Sequence, residues 1–248
     1  DQTLWVGTYS AGINYHSPFH KSFFYLTSDK FAGIFGKGQE DRYGNMWFAT
    51  EGSGLFKYNP QTGERHLYPI KPIREGNYEA NIIKSILIKG DSIFCATHFG
   101  SVYLFSISSQ QYKLLYDFKY NDIYSLYIDS RQRLWIPTNS DEGLVVIDGD
   151  RQIRTITANG KQRSFSHITQ IHEVEPDLFL LGALQDSLYL YDMKKQTVRN
   201  LASQLKSLSQ SDKIGSITTI LQDSKGFFWI STSKNGLYRL NTDFQLVK

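Results

Sequence analysis

Cysteine is almost absent from this 248-residue chain, with Cys95 the only one. No intrachain disulfide can form, and the setting Ile93-Phe-Cys-Ala reads as that of a small buried hydrophobe. Long apolar runs are missing as well: none could span a bilayer as a helix, and no signal-peptide pattern opens at Asp1. Nor is there an excess of one charge. The 27 Lys and Arg residues face 24 Asp and Glu, a formal +3 spread along the chain without a dense basic run. That balance argues against a nucleic-acid partner.

Aromatic residues, by contrast, make up 15% of the chain, a composition that suits strands in interleaved sheets. All four Trp residues occupy one position of a recurring phrase. It reads Asp41-Arg-Tyr-Gly-Asn-Met-Trp47-Phe-Ala-Thr50 followed by Gly54-Leu-Phe-Lys-Tyr-Asn59. It returns as Asp223 to Thr232 with Gly236 to Asn241, as Asp129 to Thr138 with Gly143-Leu144, and as Leu4-Trp5-Val-Gly-Thr8 with Gly12-Ile13. Two weaker copies place Phe94 and Phe179 where the others have Trp. The anchors fall at 5, 47, 94, 135, 179 and 229, a period of 41–50 residues. A strand-rich repeat of that length without a helical pattern predicts propeller blades. The expectation is an all-β β-propeller of four-stranded antiparallel blades, in about six repeat units near 1–28, 29–70, 80–118, 122–158, 166–202 and 214–248.

Alternation of β-branched and aromatic residues marks four short strands in each unit. Asp223-Ser-Lys-Gly226 has turn chemistry, with Gly free to take positive φ. Gly236 is expected to let one backbone pass close to its neighbour, and each Trp to pack against the next blade. The first unit opens directly on its Trp strand. Counting gives three strands and then five sets of four, the expectation for a piece of a longer repeat array.

Loop lengths are asymmetric. Links such as Lys89-Gly-Asp91, Asp148-Gly-Asp150 and Glu175-Pro-Asp177 are tight, whereas those from Lys71 to Asn81, Thr157 to His167 and Ser203 to Gly215 are long. In a propeller the long links share a face with the loops between second and third strands, and long loops on a rigid scaffold carry binding. The ligand-binding candidates are therefore Tyr9, Glu51, His98, Phe99, Asn139, Gln185 and Asn235 from the short loops. Arg74, Tyr78, Arg163 and Lys213 join them from the links. Their aromatic faces, amides and charges suit a hydroxylated ligand.

Catalytic and metal constellations are weak. Pro18 separates His16 from His20, His167 and His172 flank a strand, and the phrase aspartates sit at turns where they cap amides. Asp148-Gly-Asp150 begins like a calcium loop but lacks the remaining ligands. Asp141, Glu142 and Asp186 are the acidic residues able to converge on the loop face. No catalytic residue, metal site or cofactor is assigned.

The phrase resembles the "regulator propeller" repeat of sensor ectodomains in hybrid two-component systems of the Bacteroides type. The resemblance runs through the chain, strong in units one, two, four and six and degraded in three and five. It implies a non-catalytic periplasmic sensor, part of the ectodomain of an inner-membrane protein whose kinase lies outside this chain. It also implies an oligosaccharide ligand, further propeller blades and a β-sandwich in the same parent chain, and a membrane reached only through that parent. A structural or homodimer-forming propeller without a small ligand is the alternative, and a propeller lyase or glycosidase a third.

Overall fold

The computed structural model describes residues 4–7, 13–17, 20–26, 34–71, 78–119, 122–138, 143–149, 152–158, 161–165, 167–184, 187–206 and 213–247. The chain divides into two compact units, Asp1–Ile123 and Tyr124–Lys248. In the first, a three-stranded sheet (Leu4–Gly7, Ile13–Ser17, His20–Leu26) precedes a second sheet (Phe35–Glu40, Met46–Thr50, Leu55–Tyr58, Arg65–Tyr68). A short 3-10 turn, Tyr78–Asn81, leads into the third sheet (Ile83–Lys89, Ser92–Thr97, Ser101–Ser106, Gln111–Asp117).

The second unit begins with the fourth sheet (Tyr127–Ile128, Leu134–Pro137, Leu144–Ile147, Ile153–Thr155). A small hairpin, Thr157–Ala158 with Lys161–Ser164, follows. The fifth sheet is Ile168–Glu175, Leu178–Ala183, Leu188–Asp192 and Thr197–Asn200. A helical turn, Ala202–Lys206, leads to the sixth (Ile217–Gln222, Phe228–Thr232, Gly236–Leu240, Leu246–Val247).

Every sheet is an antiparallel meander in sequence order, so these are propeller blades. Four-stranded blades number five among the described residues, where about six units were expected. The difference lies in the first sheet, which has three strands among the described residues. The strand of Trp5 is a sheet edge there, whereas the strands of Trp47, Trp135 and Trp229 are paired on both sides. The expected absence of helix fails only in the links: Ala202 and Leu205 are buried under the sixth sheet, giving Ala202–Lys206 an apolar face to fold upon.

The phrase has a local physical cause. Asp and Trp stand six residues apart on either side of a tight turn, and the indole Nε1 donates to the carboxylate. Trp47 reaches Asp41 at 2.7 Å, Trp135 reaches Asp129 at 2.7 Å, and Trp229 reaches Asp223 at 2.8 Å. The other carboxylate oxygen accepts two turn amides in each copy, those of Tyr43 and Asn45, Arg131 and Arg133, and Lys225 and Phe227. One side chain thus caps the turn and orients the ring that will be buried.

Burial opposes ionisation of Asp41, but hydrogen bonds from Trp47, Asn45 and Tyr43 outweigh it and hold the carboxyl below its usual range. The Trp229 indole and turn amides do the same for Asp223. Stabilisation from a depressed carboxyl is present above the unfolded value of about 4 and disappears as pH falls through the folded one. The melting temperature should therefore be flat at neutral pH and fall below about pH 4, less steeply in Asp41→Asn. Equal acid slopes for the two proteins would contradict this assignment.

Strands alternate so that adjacent sheets share cores. Trp47, Ala49 and Leu55 of the second sheet meet Ile83, Ile86, Ile93, Cys95 and Phe105 of the third. Phe48, Phe56 and Tyr58 turn the other way, toward Trp5 and Tyr15. Trp135, Leu144 and Val146 pack likewise on Ile168, Ile171, Phe179 and Leu181. Burial on both faces explains the near-continuous apolar strands Met46–Thr50 and Leu144–Ile147. Burial raises the Cys95 thiol above its usual range, so it stays protonated and behaves as a core hydrophobe. The outer face of the sixth sheet differs. Leu237 is 60% exposed, whereas the Leu at the same phrase position in the second and fourth sheets, Leu55 and Leu144, is 0% exposed.

Candidate functional site

In the first unit, Thr50 and Thr97 end their phrase strands and build the loops that follow. Thr50 Oγ1 donates to Gly54 O at 2.7 Å and accepts the Ser53 amide at 3.1 Å. Thr97 makes the matching pair with Ser101, both at 3.1 Å. The next residues, Glu51 and His98, are thereby held rigidly at the ends of their sheets. The Glu51 amide donates to Ile34 O at 3.0 Å and the His98 amide to Ile82 O at 2.9 Å. Glu51 also bridges to Ile82, so Glu51 and His98 lie on either side of one backbone position.

Their side chains form one ion pair and one imidazole–carboxylate contact. Lys84 Nζ lies 2.6 Å from Glu51 Oε1, with the side chains 24% and 38% exposed. His98 Nδ1 contacts the Asp122 carboxylate, a pair that becomes ionic on imidazole protonation. Phe99 stands edge-on to the His98 ring, with centroids 4.6 Å apart. Beneath the loop, Asn81 ties the long link to the blade. Its carbonyl accepts the Gly52 and Gly54 amides, while its side chain both accepts from and donates to the Ile70 backbone. The result is a rigid end surface with carboxylates, an ammonium, an imidazole and an aromatic ring within one unit. Such a surface can hydrogen-bond hydroxyls and stack on an apolar sugar face.

The structure thus brings Glu51, His98 and Phe99 of the sequence candidates to one end of unit one. In unit two, the Asn235 side-chain amide donates to Lys213 O and its backbone amide to Thr232 Oγ1, so Asn235 holds its own loop. Lys213 is exposed. Tyr78 opens the 3-10 turn and Arg163 lies on the hairpin strand Lys161–Ser164, with their side chains outside the described residues. Tyr9, Arg74, Asn139 and Gln185 lie outside the described residues, as do Asp141, Glu142 and Asp186. No group of three or more His, Cys, Asp or Glu able to hold a metal occurs among the described residues.

Sequence reasoning missed Lys84 and Asp122. A signal existed: in the repeat, the residue after the phrase threonine meets the start of the next blade, so residues near Ile82 and Ile123 were due to face Glu51 and His98. The same contact recurs in unit two, where Ser216 Oγ donates to Leu184 O at 2.7 Å.

It also missed a pocket of about 250 Å3 in unit two, at the opposite, tight-turn end of the strands. Arg131, Arg133, Arg154, Asp148, Val146 and Met193 line it. Asp177 joins Arg131 at 2.6 Å and Arg133 at 2.8 Å. Asp129 holds Arg133 Nε at 2.6 Å and Asp148 holds Arg154 at 2.8 Å.

The described residues contain no helix long and apolar enough to cross a membrane. The profile of the family "Two component regulator propeller" matches residues 212–234, around the last copy of the phrase. A comparison with curated protein sequences returned no match. Among solved structures, the chain is similar to the extracellular domain of BT3049 from B. thetaiotaomicron, assigned to a hybrid two component system. That alignment has a TM-score of 0.74 and 17% identity, covering 99% of this chain and 33% of that one. Virginiamycin B lyase from Staphylococcus aureus aligns with a TM-score of 0.72 at 10% identity, covering 99% of this chain and 79% of that one. PorZ of the type-IX secretion system of Porphyromonas gingivalis gives 0.70 at 14%, covering 97% and 37%. The chain spans about a third of the length of that extracellular domain. With these identities the structural likenesses show the fold, a β-propeller like that of the extracellular domains from B. thetaiotaomicron, and the profile match marks residues 212–234 as similar to one regulator-propeller repeat.

Proposed function

We propose that the chain is a non-catalytic, extracytoplasmic sensor module that recognises an oligosaccharide at the Glu51–Phe99 end of unit one. Its signal passes to a kinase elsewhere in the parent polypeptide, which also supplies further blades, a β-sandwich and the membrane anchor. The observation that carries the reading is the rigid set Glu51, Lys84, His98, Phe99 and Asp122. Lys84 pairs with Glu51, His98 contacts Asp122, and all four side chains are partly exposed. The surface therefore offers donors and acceptors to hydroxyls without the converging carboxylates or nucleophile–base pair of a hydrolase. The likeness to a lyase at 10% identity extends to the fold alone.

A second reading has its own observation. Leu221, 59% exposed, lies directly across from the half-buried Trp229 on the outer face of the sixth sheet, and Leu237, 60% exposed, shares that face opposite Ser231. An apolar face of this kind suits association with another blade or a second copy.

One set of samples tests both. Thermal melts and calorimetry against an oligosaccharide panel should find a ligand that, at about 100 times its Kd, adds roughly 2.7 kcal/mol of stability. Phe99→Ala and Glu51→Gln should abolish that gain. Glu51→Gln should leave the unliganded melt nearly unchanged, because an exposed ion pair contributes only about 0–1 kcal/mol. A chain that melts cooperatively, answers no glycan and sediments as a concentration-dependent dimer would favour the second reading.

A further inference from the structure

We infer that the tight-turn pocket of unit two binds the carboxylate of an acidic sugar, a site distinct from the Glu51–Phe99 surface; the ligand class rests on the glycan reading. The donors come first. A guanidinium carries five N–H groups. Among the described residues, Arg131 and Arg154 each commit one nitrogen to a carboxylate and Arg133 commits two. The carboxylates, in contrast, are already engaged: Asp148, which lines the pocket with its side chain 21% exposed, accepts Arg154 and the Gln152 amide. Asp129, 2% exposed, accepts the Trp135 indole, two turn amides and Arg133 Nε. Asp177, 9% exposed, accepts from both Arg131 and Arg133. Three arginines are thus steered by acids, of which Asp129 has no acceptor capacity left and Asp177 is recessed.

The arrangement is also preorganised. The Arg133 side chain is 14% exposed, gripped from two sides, and lies 5.8 Å above the Trp135 ring. Ordering such a side chain on binding ordinarily opposes affinity, and here folding has already ordered it. Guanidinium matches a carboxylate in a planar two-point geometry that a neutral hydroxyl cannot reproduce. Three arginines against Asp129, Asp148 and Asp177 leave no net charge, so discrimination comes from contact rather than from a long-range field. Size sets the rest. At about 250 Å3 the pocket falls just below the range of about 300–1,000 Å3 typical of drug-sized ligands, room for one ring. Met193, partly buried, supplies the apolar side of the pocket for the C–H face of that ring.

The test is titration of the full 248-residue chain with glucuronate and galacturonate. Glucose, galactose, a glucosamine 6-sulfate and inorganic sulfate serve as comparisons, followed by calorimetry and by arginine Nε resonances in NMR. A uronate should bind saturably in the millimolar range or tighter, shift the Arg133 resonance, and exceed its neutral hexose by ~10-fold or more. The double variant Arg131→Gln, Arg154→Gln removes two exposed cations, 57% and 62% accessible, and should weaken uronate ~10-fold while the fold survives. Glu51→Gln should bind uronate like the parent. Uronate binding untouched by the double variant, neutral hexose bound equally, or no saturation at millimolar uronate would each overturn the inference. Tighter binding of the sulfate ester or of free sulfate would overturn the carboxylate assignment. Loss of this site with the oligosaccharide response at Glu51 and Phe99 intact sinks this inference alone, and the converse pattern sinks only the reading of that surface.

Discussion

Asp129→Ala should lower the melting temperature by roughly 6–20 °C. Asp129 is 2% exposed and serves four donors at once: the Trp135 indole, the Arg131 and Arg133 amides, and the Arg133 guanidinium. Removing it strands a buried indole N–H and half-uncompensates a guanidinium. Breaking a buried, hydrogen-bonded charge pair from one side costs about 3–5 kcal/mol. A domain of this size loses about 2–4 °C per kcal/mol. Asp129→Asn keeps a side-chain oxygen for either the amides or the indole and should recover part of the loss. Asp223→Ala, at a half-buried copy of the same turn, should cost distinctly less. Melts followed by circular dichroism decide it. A shift of under about 2 °C for Asp129→Ala would mean that the phrase is held together by ring packing and not by its carboxylate.

Gly54→Ala and Gly236→Ala occupy one phrase position and should nonetheless part company. Both glycines have positive φ, +81° and +73°. A Cβ on Gly54 would stand 2.3 Å from Tyr68 O and 2.8 Å from the Pro69 Cα, both backbone atoms that cannot swing aside. Left-handed strain of about 1–2 kcal/mol then adds to an overpacking term of about 1–3 kcal/mol, for a loss of about 2–5 kcal/mol. Gly236 has nothing within 4 Å of its would-be Cβ. Only the strain remains there, partly offset by the stiffer unfolded chain, and the net loss should be at most about 1 kcal/mol. Denaturant midpoints of the two variants give the difference directly. Equal losses would show that backbone conformation alone governs this position. The close approach expected at Gly236 is therefore found at Gly54, because there the Asn81-tied link folds over the loop.

The blade pattern was legible because its causes are short in sequence. Asp41 and Trp47, or Asp223 and Trp229, meet across six residues, and the threonine caps reach four. Glu51, His98 and Phe99 could be named as candidates since their position follows from the same local phrase. Their partners could not: Lys84 lies 33 residues from Glu51, and the pairing depends on how the third sheet docks on the second. The arginine pocket was hidden for a like reason. Arg131 and Arg133 read as turn residues until Asp177, 44 residues beyond Arg133, closes on them from the next sheet. The strand count of three and then five sets of four matches the five four-stranded sheets, whereas the figure of about six units overstated the number of complete blades.

By itself, then, the sequence determined the blade: which residues alternate, where each turn caps itself and which ring is buried, all through contacts within a few residues. Tertiary structure alone decided which charges meet, which loop glycine is crowded and where a cavity opens. Those outcomes depend on the register and spacing of separate sheets, which shared apolar cores set without regard to the polar residues at their ends.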